Sequence, residues 1–204
     1  MYSEILSDSQ MNLLPLIKQF NKEFYLVGGT AIALLIGHRR SIDFDLFKEK
    51  NLRINKILQK IRNNGYDFIV TRKVADQLNL IIQDVKVTFF QYPYPIDAKQ
   101  NYKDLIKVPE LLDLAVMKAF ALGMRAKWKD YVDLYFIIKY HHNINEIIDK
   151  ANSIYDKLFS EKQFRSQLCY FDDIDYTEEV DYIPSNPPDN SEIKRYLCEK
   201  ALEV

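Results

Sequence analysis

The spacing of apolar and polar positions changes character about halfway along the chain. Residues 9–20 carry apolar side chains at helical intervals and predict a short amphipathic helix. Phe24-Tyr25-Leu26-Val27 is a compact apolar run stopped by Gly28-Gly29, which reads as a strand entering a tight turn. Thr30 stands where an N-cap would, because its hydroxyl can accept from an orphan backbone N–H of a helix running to Ile36. A polar turn, Arg39-Arg40-Ser41, leads to a predicted strand over 42–47. A helix over 51–63 places Ile54, Ile57, Leu58 and Ile61 on one side. Strands are predicted at 67–71, 78–82 and 85–91, and Tyr92-Pro93-Tyr94-Pro95 ends the last of them.

From Pro109 onward the periodicity is helical. Proline suits a first helical turn, and residues 111–124 are almost wholly apolar apart from Asp113 and Lys118. Further helices are predicted over 130–140, from about residue 143, over 161–170 and over 191–203. The acid-rich stretch 172–181 and the proline-rich stretch 183–188 form an irregular segment between the last two. The expected organisation is an α/β region, residues 1–95, followed by an all-helical region, residues 96–204.

Composition narrows the class. A chain of 204 residues, 48% apolar and 28% charged, is an ordinary globular protein with room for one sizeable core or two small lobes. A net charge of −1 supplies no global basic field, so a nucleic-acid partner would need a local patch. Cys169 and Cys198 lie far apart, outside any CxxC pair, which argues against zinc and for reduced thiols. The acidic start lacks the basic and apolar regions of a signal peptide, and no run reaches the roughly 18 apolar residues of a membrane span. A cytoplasmic protein without a membrane partner is expected.

Candidate chemistry is densest in Ser41-Ile42-Asp43-Phe44-Asp45-Leu46-Phe47. On a strand, positions i and i+2 share a face, so Asp43 and Asp45 point the same way. Two readings stand. The pair lies on the wet face of an amphipathic strand, or it holds a cation that relieves the repulsion of two close carboxylates. Magnesium suits the second, because it accepts carboxylates together with substrate phosphates. Gly28-Gly29-Thr30 adds weight to it, because a glycine turn that opens a helix presents backbone N–H groups to phosphate. Twelve residues separate Thr30 from Asp43, enough for a helix to return into a neighbouring strand.

This combination of strand, GG(S/T), helix and DxD strand is similar to that of the polymerase-β-like nucleotidyltransferases. More narrowly, FYLVGGTAIALLIGHRRSIDFDLF (24–47), LLDLAVMKAFALGMRAKWKDYVDLYFI (111–137) and Tyr170-Phe171-Asp172-Asp173 resemble the AbiEii/AbiGii-type nucleotidyltransferase toxins. The resemblance runs from about Phe24 to the C-terminus. It implies an α/β (α+β) nucleotidyltransferase core with a mixed sheet, followed by an all-helical C-terminal lobe that completes the active-site cleft. It further implies a nucleoside triphosphate substrate, with magnesium on Asp43 and Asp45. Nucleotide contacts would come from Gly28, Gly29, Thr30, Arg40 and Ser41, and catalytic roles would fall to Asp43, Asp45, Lys118 and Asp130. The implied reaction moves a nucleoside monophosphate to an acceptor hydroxyl, of a tRNA 3′ end or a protein, with release of pyrophosphate. The implied setting is a toxin–antitoxin or abortive-infection system with a separately encoded antitoxin.

Lys118 also invites a physical reading. It is the only cation in a strongly apolar helix, so its ammonium must reach water, an acid or a ligand anion. If it serves a ligand, Lys118→Ala should spare stability. Asp130 and Asp133 share a helix face, and the resemblance gives the first a site role and the second a structural one. Arg125, Lys127 and Lys129 form a basic cluster that suits a phosphate backbone or plain solvent. Thr88 stands where many polymerase-β-like enzymes carry a third acid, which leaves Asp130 as a substitute. Two rival readings remain at this point: a protein of the same fold that binds a nucleotide such as GTP without transferring it, and an antibiotic-modifying nucleotidyltransferase that uses the acids of 172–181.

Overall fold

The computed structural model describes residues 1–203, which divide into two compact units, one ending at Glu110 and the other beginning at Leu111. In the first unit, Ser3–Ile5 forms a single 3-10 turn, and α1 (Asp8–Lys18), β1 (Tyr25–Val27), α2 (Gly28–Ile36), β2 (Phe44–Lys48) and α3 (Ile54–Asn63) follow. Next come β3 (Ile69–Val74), β4 (Gln77–Ile82) and β5 (Val85–Gln91), then β6 (Gln100–Tyr102) and β7 (Ile106–Val108). The last two strands carry the unit past residue 95, where the sequence had placed its end. Each is only three residues long, too short for alternation to register.

All seven strands form one mixed sheet in the order β3-β4-β5-β2-β1-β7-β6, with β2–β5 and β1–β7 parallel. Alternation gives the sheet two different faces. Phe44 and Leu46 of β2, Val87 and Phe89 of β5, and Leu78, Leu80 and Ile82 of β4 are each at most 2% exposed. Phe20 and Phe24 pack edge-on against Phe89 from that side, with ring centroids 4.8 and 5.3 Å away. The α3 helix adds Ile57, Leu58 and Ile61, the buried stripe that its periodicity predicted. The opposite face carries Asp45, Phe47, Thr88, Phe90 and Asn79.

The second unit contains α4 (Leu111–Leu122), α5 (Trp128–Tyr140), α6 (Ile144–Tyr155), α7 (Glu161–Leu168) and α8 (Asn190–Leu202). The α4 helix packs on α5, α6 and α7, and α8 closes against α5 and α7. Eight consecutive residues of α5, Tyr131 to Ile138, are buried, so this helix is the centre of the unit. Asn143 starts α6 with a capping box, its side chain accepting from the Glu146 N–H while the Glu146 carboxylate accepts from its own. No helix among the described residues is long and apolar enough to cross a membrane.

Candidate active site

The first cluster is built where β1 passes into α2. Val27 of β1 pairs with Asp45 of β2, and Asp45 pairs in turn with Thr88 of β5. Gly28 has φ +71°, and a methyl group there would collide with the Asp45 carboxylate. Glycine therefore serves two needs at this position: a left-handed backbone and close approach of the acid to the turn. A methyl on Gly29 would strike the Arg39 guanidinium and come within 3.0 Å of the Ser41 hydroxyl. Asp43 lies one residue before β2 and is half-buried, as is Asp45.

Thr30 does not cap α2. The helix begins at Gly28, and its N-cap, Val27, offers no side-chain hydrogen bond. Thr30 is inside the first turn, and its buried hydroxyl donates to the Asp43 carbonyl and lies 2.9 Å from the Ser41 hydroxyl. That tether fixes the loop carrying the two acids against the glycine turn. The N–H groups of the first turn have no capping side chain, which suits an anion. The neighbouring arginines also differ from expectation. Arg40 is exposed and donates to the Glu4 carbonyl at 3.1 Å, whereas Arg39, 2% exposed, is the guanidinium beside Gly29. The sequence offered two adjacent arginines at a turn, and only the direction of the chain after Gly37, which ends α2 at φ +65°, distinguishes them.

The second cluster lies within the helical unit. The Lys118 ammonium donates to the Asp130 carboxylate and sits 2.9 Å from an Asp133 oxygen. All three residues are buried, with Asp133 at 0% exposure. Arg125 approaches the other Asp130 oxygen at 3.3 Å. The expectation that Lys118 is dispensable for stability is thereby overturned, because removing it strands two buried carboxylates. Tyr131, beside Asp130, has its hydroxyl pushed up to about 12, chiefly by burial, and donates to the Gln167 and Tyr170 carbonyls. The basic cluster is committed too: Lys127 and Lys129 lie 2.6 and 3.3 Å from Glu178. Glu178 belongs to the acid-rich segment, which is pinned to the start of α5 by a bridge between Lys127 and Asp175. The Lys194 ammonium caps that contact, lying over the rings of Trp128, Phe171 and Tyr176.

Thr88 does occupy the position beside Asp45, and beyond it the register continues to Asn79 and Arg72, neither of them an acid. Asp84 sits in the two-residue turn between β4 and β5 at φ +62°, four residues before Thr88. Among the described residues, no three His, Cys, Asp or Glu side chains gather to hold a metal. Asp43 and Asp45 thus form an incomplete donor set of hard oxygens on a half-open face, which fits magnesium completed by phosphate and water.

A family model described as "Nucleotidyl transferase AbiEii toxin, Type IV TA system" matches residues 16–195. The chain belongs to the AbiEii family. The protein aq_aa25 of Aquifex aeolicus (strain VF5) is 34% identical over 126 residues, 58% of this chain and 59% of that relative. The chain thus spans 59% of the length of the relative it matches. Among solved structures, JHP933 from Helicobacter pylori is 18% identical with a TM-score of 0.55, over 96% of this chain and 91% of that one. MenT4, a nucleotidyltransferase toxin from Mycobacterium tuberculosis H37Rv, is 14% identical with a TM-score of 0.60, over 95% and 82%. At such identities the likeness is one of fold. The AbiEii chain has the polymerase-β-like nucleotidyltransferase fold, with the mixed sheet that the resemblance implied.

Proposed function

We propose that this AbiEii-family protein is a nucleotidyltransferase toxin that moves a nucleoside monophosphate from a nucleoside triphosphate to an acceptor hydroxyl. The observation that carries this reading is the folding of acids and phosphate turn into one piece: Asp45 against Gly28, and Asp43 tied to Thr30. In the reaction, the acceptor oxygen forms a bond to the α-phosphorus while the bond to the bridging oxygen breaks and pyrophosphate leaves. The first-turn N–H groups of α2, with Gly28 and Gly29 leaving room, bind phosphate oxygens. Arg39, rather than Arg40, balances their charge beside Gly29, and Ser41 with Thr30 holds the acid-bearing loop in position. Magnesium held by Asp43 and Asp45 would polarise the phosphate under attack. Thr88, beside Asp45, cannot take up a proton at neutral pH, so the hydroxyl proton passes to solvent water on this half-open face. In the helical unit, Lys118 and Asp130 are the charged residues carried over from the family, Asp133 holds the Lys118 ammonium in place, and Arg125 lies beside Asp130.

The acceptor is the 3′ end of a tRNA or a protein hydroxyl, the protein acts in the cytoplasm, and a separately encoded antitoxin restrains it. Incubation with each labelled NTP, magnesium and total cell RNA tests the reading. Label on RNA is the expected result, and label on protein alone would assign the acceptor instead. Tight nucleotide binding without transfer to either would replace the enzyme with the binding-only alternative.

A further inference from the structure

The face of the sheet that carries Asp45 also carries aromatic rings with no part in the transfer chemistry. One step along β2 on this face is Phe47, and one step along β5 from Thr88 is Phe90. Register pairs these two phenylalanines, and their ring centroids are 5.0 Å apart. Tyr25 flanks Phe47 on β1, and the Tyr92 ring lies 5.6 Å from it on the other side. Tyr92 is buried, but the core does not enclose Tyr25, Phe47 and Phe90. The same strands turn Phe44, Leu46 and Phe89 inward, each at most 1% exposed, whereas Tyr25, Phe47 and Phe90 are only half-buried.

The position of the rings suggests their use. The start of α2 lies at the end of β1 beside Asp45, so a triphosphate bound there would leave the rest of this face open to the nucleoside. Phe47 is two residues from Asp45, about 7 Å along the strand, within the span of one nucleotide. We propose that Phe47 and Phe90 form a shelf on which the base of the nucleoside triphosphate stacks. The proposal rests on reading the Asp45 face as the nucleotide site, and it adds what holds the nucleoside there. Every base has a π-face, so such a shelf sets affinity without choosing strongly among bases.

Calorimetric titration of the full chain, with magnesium present, tests this using non-hydrolysable analogues of the four nucleoside triphosphates and, in parallel, tripolyphosphate. Phe47→Leu and Phe90→Leu should each weaken all four analogues roughly tenfold, while tripolyphosphate affinity stays within about twofold. Phe47→Tyr, which keeps a ring, should restore binding of the analogues. Equal weakening of tripolyphosphate would make the rings structural and overturn the shelf. Unchanged affinity for the analogues in both leucine variants would overturn it while leaving the transfer reading intact. A loss confined to one base would overturn the base-neutral shelf in favour of edge recognition. A wild-type chain that bound neither analogues nor tripolyphosphate would overturn the nucleotide site and the shelf together.

Discussion

Two pairs of aspartates in this chain have nearly the same sequence appearance and opposite surroundings. Asp45 lies on β2 and Asp43 one residue before it, two residues apart and both half-buried. Asp130 and Asp133 are three residues apart on the most buried helix of the second unit, and the protein supplies their cation, Lys118. A buried pair of acids needs a resident counter-charge to be tolerated at all. A half-open pair stays within reach of water, which lowers that demand. Burial, and not the presence of two acids, separates the half-open pair from the cluster that neutralises its charge deep within its own unit.

The largest effect is expected at the open pair. Asp45→Asn should lower transfer about a thousandfold, the scale of several kcal/mol of metal-supported charge stabilisation. Its melting temperature without ligand should stay close to wild type, and the stabilisation by magnesium with NTP should vanish. A variant that keeps the ligand-induced shift would remove this pair from the site.

The closed pair should behave in the other way. Lys118→Ala should cost about 3–5 kcal/mol in urea unfolding, because it leaves Asp130 and Asp133 as uncompensated buried charges. Adding Asp130→Asn and Asp133→Asn to that variant should recover much of the loss. Wild-type stability in Lys118→Ala would erase the contrast drawn between the two pairs.

Two glycines sharpen the comparison at smaller magnitude. Gly28→Ala and Gly65→Ala both place a side chain at positive φ, +71° and +79°, so each should lose about 1–2 kcal/mol. Only Gly28 faces a carboxylate, and nothing lies within 4 Å of a methyl on Gly65. Transfer should therefore fall in Gly28→Ala and persist in Gly65→Ala. Equal activity in the two would mean that Asp45 does not need its close seat on the turn.

The smallest effect concerns the acid-rich segment. The hydrogen bond from Lys127, with the further charge of Lys129, holds the Glu178 carboxyl below its ordinary value of 4.5. A depressed carboxyl stabilises the folded state above its unfolded value, and that contribution disappears as pH falls through the folded one. Stability should thus drop below pH 4.5 more steeply in wild type than in Glu178→Gln, as followed by thermal melts. Coincident pH curves would detach this segment from the start of α5.

Much of this protein was legible locally. The apolar run before Gly28-Gly29, the alternation around Asp45, the bounds of β5 and the buried stripe of α3 all follow from the spacing of side chains a few residues apart, although β2 begins only at Phe44 and leaves Asp43 before it. So did the order of an α/β region and a helical one. Tertiary structure alone decided which partner each polar group took. Thr30 reaches Asp43 across 13 positions instead of capping its own helix, and Lys118 meets Asp130 across 12. Arg39 rather than Arg40 turns toward Gly29, and β6 and β7 become strands because β1 offers an edge to join. Periodicity records which side of an element is apolar, and it is read within one or two turns. A hydrogen bond or ion pair depends on where two distant segments meet, and burial then makes the partner obligatory.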